Sequence, residues 1–368
     1  MTEELSRTSA LASRHTALGS GLEDWNGMGT AWEYSTSPNA EHDAIREAAG
    51  MFDMSPLKKV MIRGADAAAV IDHTLSRDAS RIGVGQAAYG SVLTDAGTVC
   101  DDAIAANNGN GEWMFCHGSG ESMERLTESA QGKKVSLLLD DDLHNISLQG
   151  PKALELLNAR TPMELANLRY FHHQETELFG KPCRISRTGY SGERGYEIFI
   201  DQAHVGDIWD NILEEGSDLG VMPCSFTALD KVRIEAALLF FGYDMTVEHT
   251  PWEVGLGFTI NLNKADYRGK QAVIASKGKE RFKLAGIVID HHEALTGGET
   301  LLSNGQEAGV INSPGHSHRL GQSLALCHLQ PDLVLAGTRL EVKSDDISCT
   351  ATVVDIPFFD PQKSRTHA

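Results

Sequence analysis

Asp101 and Asp102 form an adjacent carboxylate pair within residues 99–105, a run that reads as a strand. Neighbouring side chains of a strand take opposite faces, so Asp102 shares a face with Cys100 and Ile104 while Asp101 points the other way. A carboxylate among apolar neighbours is costly to bury unless it is paired or put to use, which makes Asp102 a candidate for proton or charge chemistry. If the register slips, both acids are instead solvated at a hairpin edge. A second candidate is RTGYSGERGYE, residues 187–197. Ser191 is followed at once by Gly192, so the spacing of a nucleophile elbow fails, and the Gly-Lys-Ser/Thr of a phosphate loop is absent. The segment reads as a glycine-rich turn between strands, in which Tyr190 and Glu197 offer a stacking face and a fixed acceptor to a flat heterocycle.

Other residues suggest chemistry and then lose it. His172-His173, His291-His292 and His316 with His318 invite a metal hypothesis. No carboxylate or cysteine stands at a ligand-like spacing from them, so they read as solvated or structural and no metal is expected. Asp230 and Arg233 in LDKVRIEAALLF lie at helical spacing and read as an ion pair within a buried helix.

These residues need elements to hold them. Residues 37–50 read as a helix with Ser37 as cap, Pro38 in the first turn and Gly50 as its end. VMIRGADAAAVI and ISLQGPKALELL are two strand–Gly–helix units of one design, a weak internal repeat that suits a pseudo-symmetric α+β body. The first pairs a strand at 60–63 with a helix at 65–75, and the second a strand at 146–149 with a helix at 152–157. YGSVLTDAGTVCDDAIAA reads as a hairpin turning at Asp95-Ala96-Gly97, and CRISRTGYSGERGYEIFI as strand–loop–strand. Helices are expected at 203–216 and 227–239. ASKGKERFK resembles a linker, after which LAGIVID, EAGVIN, SLALCHL, TRLEVKS and TATVVDI predict a small antiparallel barrel or sandwich of about ninety residues. The expected division is an α+β body over 1–275, made of two subdomains, and an all-β, barrel-like domain over 281–368.

The chain has 368 residues, 41% apolar and 23% charged, with a net charge of -19 from 51 acidic and 32 basic side chains. That surplus argues against a nucleic-acid or anionic-membrane surface, while leaving room for a local basic pocket. No run of about eighteen apolar residues is present, so no membrane span is expected, and residues 1–14 lack the apolar core of a signal peptide. The cysteines form no C-x-x-C pair and suit free thiols in a reducing cytoplasm.

The segments RHTALGS, EDWNG, AEHDAIREAAGMFDMS, AAYGSVLTDAGTVCDDAI, LQGPKA, RTGYSGERGYEIFI, DKVRIEAALLFFGYDM, TPWEVGLGFTINLNKADYRGKQAV and ATVVDIPFFDP together resemble, in order from about His15 to Pro361, the glycine-cleavage T-protein (aminomethyltransferase) family. The resemblance implies tetrahydrofolate in a central hole of a three-part body. It places the family's catalytic acid on Asp102 and its folate contacts on Tyr89, Tyr190 and Glu197. The sequence also departs from the family. Met54-Ser55-Pro56-Leu57 stands for Val-Ser-His-Met, His117 for an asparagine, and Leu229 for the first arginine of an Ala-Arg-Asp element whose second, Arg233, is retained. The folate side is thus kept, with Arg233 grouped with the cofactor contacts. The donor side, at Pro56, His117 and Leu229, is changed.

The resulting expectation is a demethylase-type transferase that moves a methyl group from a small methylated amine, sulfonium compound or aryl ether to N5 of tetrahydrofolate. Asp102 orients the pterin and stabilises charge developing on the nitrogen. His117 is the acid for an ether donor. The main alternative is a glycine-cleavage T protein acting on an aminomethyl-lipoyl carrier protein. A folate-binding iron–sulfur maintenance protein is disfavoured because KADYRGKQA lacks that group's cysteine.

Overall fold

The computed structural model describes residues 5–368. Two sheets and a barrel account for most of the chain. The first sheet orders its strands His173–Leu178, Lys181–Ser186, Gly195–Asp201, Leu143–Gln149, Ala49–Asp53 and Val221–Pro223. One face buries Ile146, Leu148, Ile185 and Ile198 against helices Ala153–Asn158 and Gln202–Gly216. The second sheet orders Ala87–Leu93, Val99–Gly109, Glu112–His117, Lys58–Arg63 and Ser136–Leu139. It buries Val60, Ile62, Trp113 and Phe115 against helices Ala67–Thr74 and Ser122–Ser129. Alternating apolar residues on each strand supply these one-sided cores, as a sheet covered by helices on one face requires.

The two strand–Gly–helix units carry the repeat into three dimensions. Gly64 and Gly150 have φ of +142° and +141°, a conformation that residues with a Cβ rarely adopt. A Cβ at either would also lie within 2.5 Å of a backbone oxygen, of Lys134 and Ala48 respectively.

Residues 283–354 close a six-stranded antiparallel barrel in the order Lys283–Ile289, Gln322–Leu329, Gln306–Ser317, Thr300–Ser303, Arg339–Lys343 and Ser348–Val354. Closure removes both open edges. Thr300–Ser303 was not expected; the Gly-Gly-Glu that precedes it and its four-residue length leave little alternation to detect.

Two element ends differ from expectation. The helix after Ser37 is Pro38–Glu47, with Ser37 Oγ accepting from the Asn39 N–H at 3.3 Å, and Gly50 lies in the next strand. Gly50 serves close packing there, because a Cβ would sit 2.4 Å from Ile45 Cγ1 and 2.7 Å from Cys224 Sγ. The helix expected at 227–239 is Phe226–Glu235; Ala237, at φ +54°, turns the chain away although AALL would propagate a helix. That turn sends Leu238 to Phe241 along the wall of a central cavity.

Candidate active site

The hairpin Ala87–Leu93/Val99–Gly109 turns at Thr94–Gly97, where Gly97 has φ +76°. Leu93 pairs with Val99 and Val92 with Asp101, so Cys100 is the extra residue of a β-bulge. The bulge changes which residues share a face. Cys100 joins Ala103 and Ala105 in the helix-covered core, whereas Asp102, Ile104 and Ala106 line the cavity. Asp102 thus turns away from Cys100, contrary to simple alternation, and the acid wholly enclosed by protein is Asp101.

Asp101 accepts four hydrogen bonds. Its Oδ2 takes the Ser122 hydroxyl at 2.6 Å, the Ser122 N–H at 3.3 Å and His117 Nδ1 at 2.9 Å; its Oδ1 takes the Asp102 N–H at 2.9 Å. His117 is 2% exposed and stands at a strand end, on the same side of the strand as Trp113 and Phe115; its Nε2 has no partner. Gly120 makes room for this cluster, since a Cβ there would lie 2.5 Å from Asp101 Cγ and 2.3 Å from the Cys100 carbonyl oxygen. Asp102 itself is half-buried. Burial pushes its carboxyl up to about 7, the Asp101 charge adds to the rise, and the Tyr89 hydroxyl opposes it.

The cavity measures about 850 Å³, ample for a ligand of cofactor size. Tyr89, Asp102, His117, Tyr190, Glu197 and Leu229 all line it, which brings together residues separated by up to 140 positions in the chain. Tyr89 stacks on Phe258, with centroids 6.3 Å apart, and the Arg77 guanidinium lies over the far ring. Tyr190 donates its hydroxyl to the Leu239 carbonyl at 2.5 Å, fixing one wall. Glu197 accepts from Asn145 Nδ2 at 3.0 Å and from the Thr188 hydroxyl; burial raises its carboxyl, and these donors oppose the rise. The glycine-rich loop packs on Gln149: a Cβ at Gly189 or Gly195 would fall 2.1–2.2 Å from Gln149 Oε1.

Two residues lie off the wall. Pro56 offers its carbonyl to Arg7 Nη1 at 2.8 Å, while its neighbours Met54 and Leu57 reach the cavity. Arg233 is bound to Asp230 and Asp244, each at 2.7 Å, and to the Leu238 carbonyl and Ser313 hydroxyl, so it fixes the 238–244 segment. Its pairing with Asp230 was expected from helical spacing; Asp244 and Ser313 come from other elements.

Several wall residues escaped the sequence reading. Trp25, Phe226 and Phe240 form an aromatic group beside Leu229, with centroids 4.9–6.1 Å apart. Arg77, Arg184 and Lys363 bring positive charge to a strongly acidic chain, and Arg184 is already paired with Glu175. His173 lies on the wall with an unpartnered Nε2, and burial lowers its imidazole to about 4. Trp25, Arg184 and Phe240 stand in quoted segments without an assigned role, and His173 in a pair read as solvated or structural, so only tertiary folding reveals their place on the wall.

Comparison with known proteins follows the same lines. Residues 11–264 match the GCVT N-terminal domain, and residues 283–360 match the glycine cleavage T-protein C-terminal barrel domain. The chain is 44% identical over 371 residues to the heme-dependent oxidative N-demethylase gamma subunit of Ectopseudomonas mendocina, covering 98% of each chain. It is 31% identical to the aminomethyltransferase of Moorella thermoacetica, covering 95% of this chain and 96% of that protein. It is also 33% identical to the trimethylamine-oxide aldolase of Ruegeria pomeroyi over 93% of this chain and 46% of that longer protein. The solved aminomethyltransferase T of the glycine cleavage system from Bartonella henselae shares the fold, with a TM-score of 0.89 at 23% identity, covering 96% of this chain and 98% of that one.

Proposed function

The chain belongs to the glycine-cleavage T-protein family of folate-dependent one-carbon transferases, and we propose that it loads a one-carbon unit from a small methylated amine onto tetrahydrofolate held in the central cavity. The observation that carries this reading is the convergence of Tyr89, Asp102, Tyr190 and Glu197 on one cavity. Tetrahydrofolate supplies a nucleophilic ring nitrogen, N5. The cavity suits it: Tyr89 and Tyr190 give stacking faces, Glu197 an acceptor for pterin N–H groups, and Arg77 and Lys363 positive charge for a glutamate tail.

Asp102 lines the cavity that would hold that nitrogen. For direct methyl transfer the donor would react as an alkylammonium, so that the amine departs neutral with the C–N electron pair; a carbon delivered as formaldehyde would instead lose its oxygen as water. In either case Asp102 would accept the proton released from the folate nitrogen, and its raised pKa near neutrality suits a base. Asp101 acts at one remove. Four donors fix its carboxylate, and its charge adds to the rise that burial produces in Asp102. His117, facing Asp101, is a positioning residue in this scheme rather than the acid expected for an ether donor.

The donor side favours an amine. Leu229 removes a family arginine, so a donor carboxylate has no partner there, and the Trp25–Phe226–Phe240 group offers ring faces to an alkylammonium. The Ectopseudomonas relative is named an oxidative N-demethylase gamma subunit. By analogy this chain works beside an oxidising subunit that delivers the carbon at the formaldehyde level, in which case the product carries a methylene bridge. Direct methyl transfer to N5 gives a methyl group instead. The free cysteines, all buried except the half-buried Cys349, suit a reducing compartment such as the cytoplasm. Among the described residues no helix is long and apolar enough to cross a membrane.

The test is incubation with tetrahydrofolate and a panel of methylated amines, sulfonium compounds, aryl methyl ethers, formaldehyde and an aminomethyl-lipoyl carrier protein, each read by mass of the folate product formed above an enzyme-free control. Product from amines or formaldehyde supports the reading. Turnover confined to an aminomethyl-lipoyl carrier, with ammonia released, would establish the T-protein reaction in its place.

A further inference from the structure

Off the cavity wall, the helix Pro38–Glu47 meets the barrel just beyond strand Gln306–Ser317, and three side chains converge there: His42, Asp43 and His318. We propose that they bind a divalent transition-metal ion, Zn²⁺ by their chemistry, which clasps the helix to the barrel.

His42 is fully buried, and its Nε2 lies 2.9 Å from Glu235 Oε1. Glu235 also accepts from Arg46 Nη2 at 2.7 Å and from the Ser317 hydroxyl at 2.6 Å, so its carboxylate is fixed from three sides. That contact places the proton of a neutral imidazole on Nε2 and leaves Nδ1 with a bare lone pair. His42 Nδ1 is enclosed and has no hydrogen-bond partner. It faces Asp43 Oδ1 at 3.7 Å, a separation too long for a hydrogen bond and unfavourable between a lone pair and a carboxylate. A cation between them resolves both faults.

His318 completes the set. Its Nε2 is 2.9 Å from Asp43 Oδ1, and the ligand atoms of all three residues lie within 4.8 Å of one another. Tetrahedral zinc with bonds of about 2.0–2.1 Å sets neighbouring ligand atoms about 3.3 Å apart, and the observed 2.9 and 3.7 Å straddle that spacing. Two imidazoles and a carboxylate form a donor set that zinc prefers to calcium or magnesium. Glu235, holding the far nitrogen of His42, takes the place of the carboxylate that orients metal-bound histidines. The half-exposed Asp43 leaves the fourth position to water. Arg319 approaches Asp43 Oδ1 to 3.8 Å, but its guanidinium is committed to Glu47 at 2.9 Å. A reading by sequence spacing misses this site because His318 lies 275 positions from Asp43.

The experiment uses full-length protein stripped with EDTA, desalted, mixed with equimolar Zn²⁺ and passed again through gel filtration, with retained zinc measured by mass spectrometry. A parallel Co²⁺ sample reports coordination by its visible absorption. The expected result is one zinc per chain, a raised Tm and a Co²⁺ band, all lost in His318→Ala and in Asp43→Asn with affinity down at least tenfold. A His291→Ala/His292→Ala control keeps all three. If the wild type retains no zinc, or if both His318→Ala and Asp43→Asn bind as the wild type does, the proposal is wrong. Asp43→Asn keeps the side-chain volume, so its loss of metal cannot be ascribed to misfolding when its circular dichroism matches the wild type. None of these residues lines the folate cavity, so failure here leaves the transferase reading untouched.

Discussion

Two adjacent aspartates in this chain lie in different surroundings: alternation sends them to opposite faces, and the bulge at Cys100 makes Asp102 the one that meets the cavity. Asp101 is enclosed with four donors, and Asp102 opens to the cavity with its carboxyl raised to about 7. The folded Asp102 therefore holds its proton more tightly than an unfolded aspartate of pKa about 4, so the native state binds more protons between those values. Its contribution is most favourable at low pH and is lost as pH rises through about 7. Asp102→Asn removes that loss, so at pH 8 the variant gains on the order of 2 kcal/mol over the wild type relative to pH 4, discounted for the solvent-facing side. Urea unfolding at both pH values checks it. The neighbouring charge gives a second prediction. Burial raises the Asp102 pKa most, and the Asp101 charge adds to it while Tyr89 opposes, so Asp101→Asn lowers it and moves the acid limb of kcat/KM acidward by about one unit. An unmoved limb would show that Asp101 only supports the fold.

At the scale of elements, the site depends on places where chain approaches chain. The loop after His117 can pass over Asp101 because residue 120 is glycine and carries no Cβ. Gly120→Ala should cost about 1–3 kcal/mol, read as a lower urea midpoint, because one of the clashing atoms is a backbone oxygen that cannot swing aside. Elements also explain what the sequence could and could not reveal. The two strand–Gly–helix units and the Asp-Ala-Gly hairpin are local, and their turn chemistry marks them in the text of the chain. The bulge at Cys100, the end of the helix at Ala237 and the strand Thr300–Ser303 are set by packing between distant segments, and alternation or propensity pointed elsewhere. Asp102, Tyr190 and Glu197 were legible from residue type and pattern, although alternation set Asp102 on the wrong face; Tyr89 was legible only through family resemblance, and neither route sees partners such as Ser122.

Over the whole molecule, residues from both sheets, the segment after Ala237 and the C-terminal tail close one cavity. The tail returns across the glycine-rich loop: Arg365 Nε pairs with Glu193 at 2.7 Å, the Thr366 hydroxyl donates to the Gly192 carbonyl, and Arg187 and Arg194 donate to the Ala368 carbonyl. Glu193 is buried and keeps only Arg46 when the tail is removed. Deleting residues 362–368 should lower Tm by about 2–4 °C and weaken tetrahydrofolate binding about tenfold, because Lys363 leaves the wall and the loop carrying Tyr190 loses its brace. Calorimetry on one preparation reads both effects. A shift in Tm without a change in affinity would remove the tail from the site.

The central claim is that Asp102 receives the proton released when tetrahydrofolate takes up a one-carbon unit in this cavity. A single-turnover experiment compares wild type with Asp102→Asn, using tetrahydrofolate and the best donor from the panel, with the folate product followed by mass. The account predicts product from the wild type, a rate at least about 10²-fold lower in the variant, and tetrahydrofolate affinity within about tenfold of wild type. A variant that turns over at the wild-type rate, or one that binds no folate at all, would contradict it.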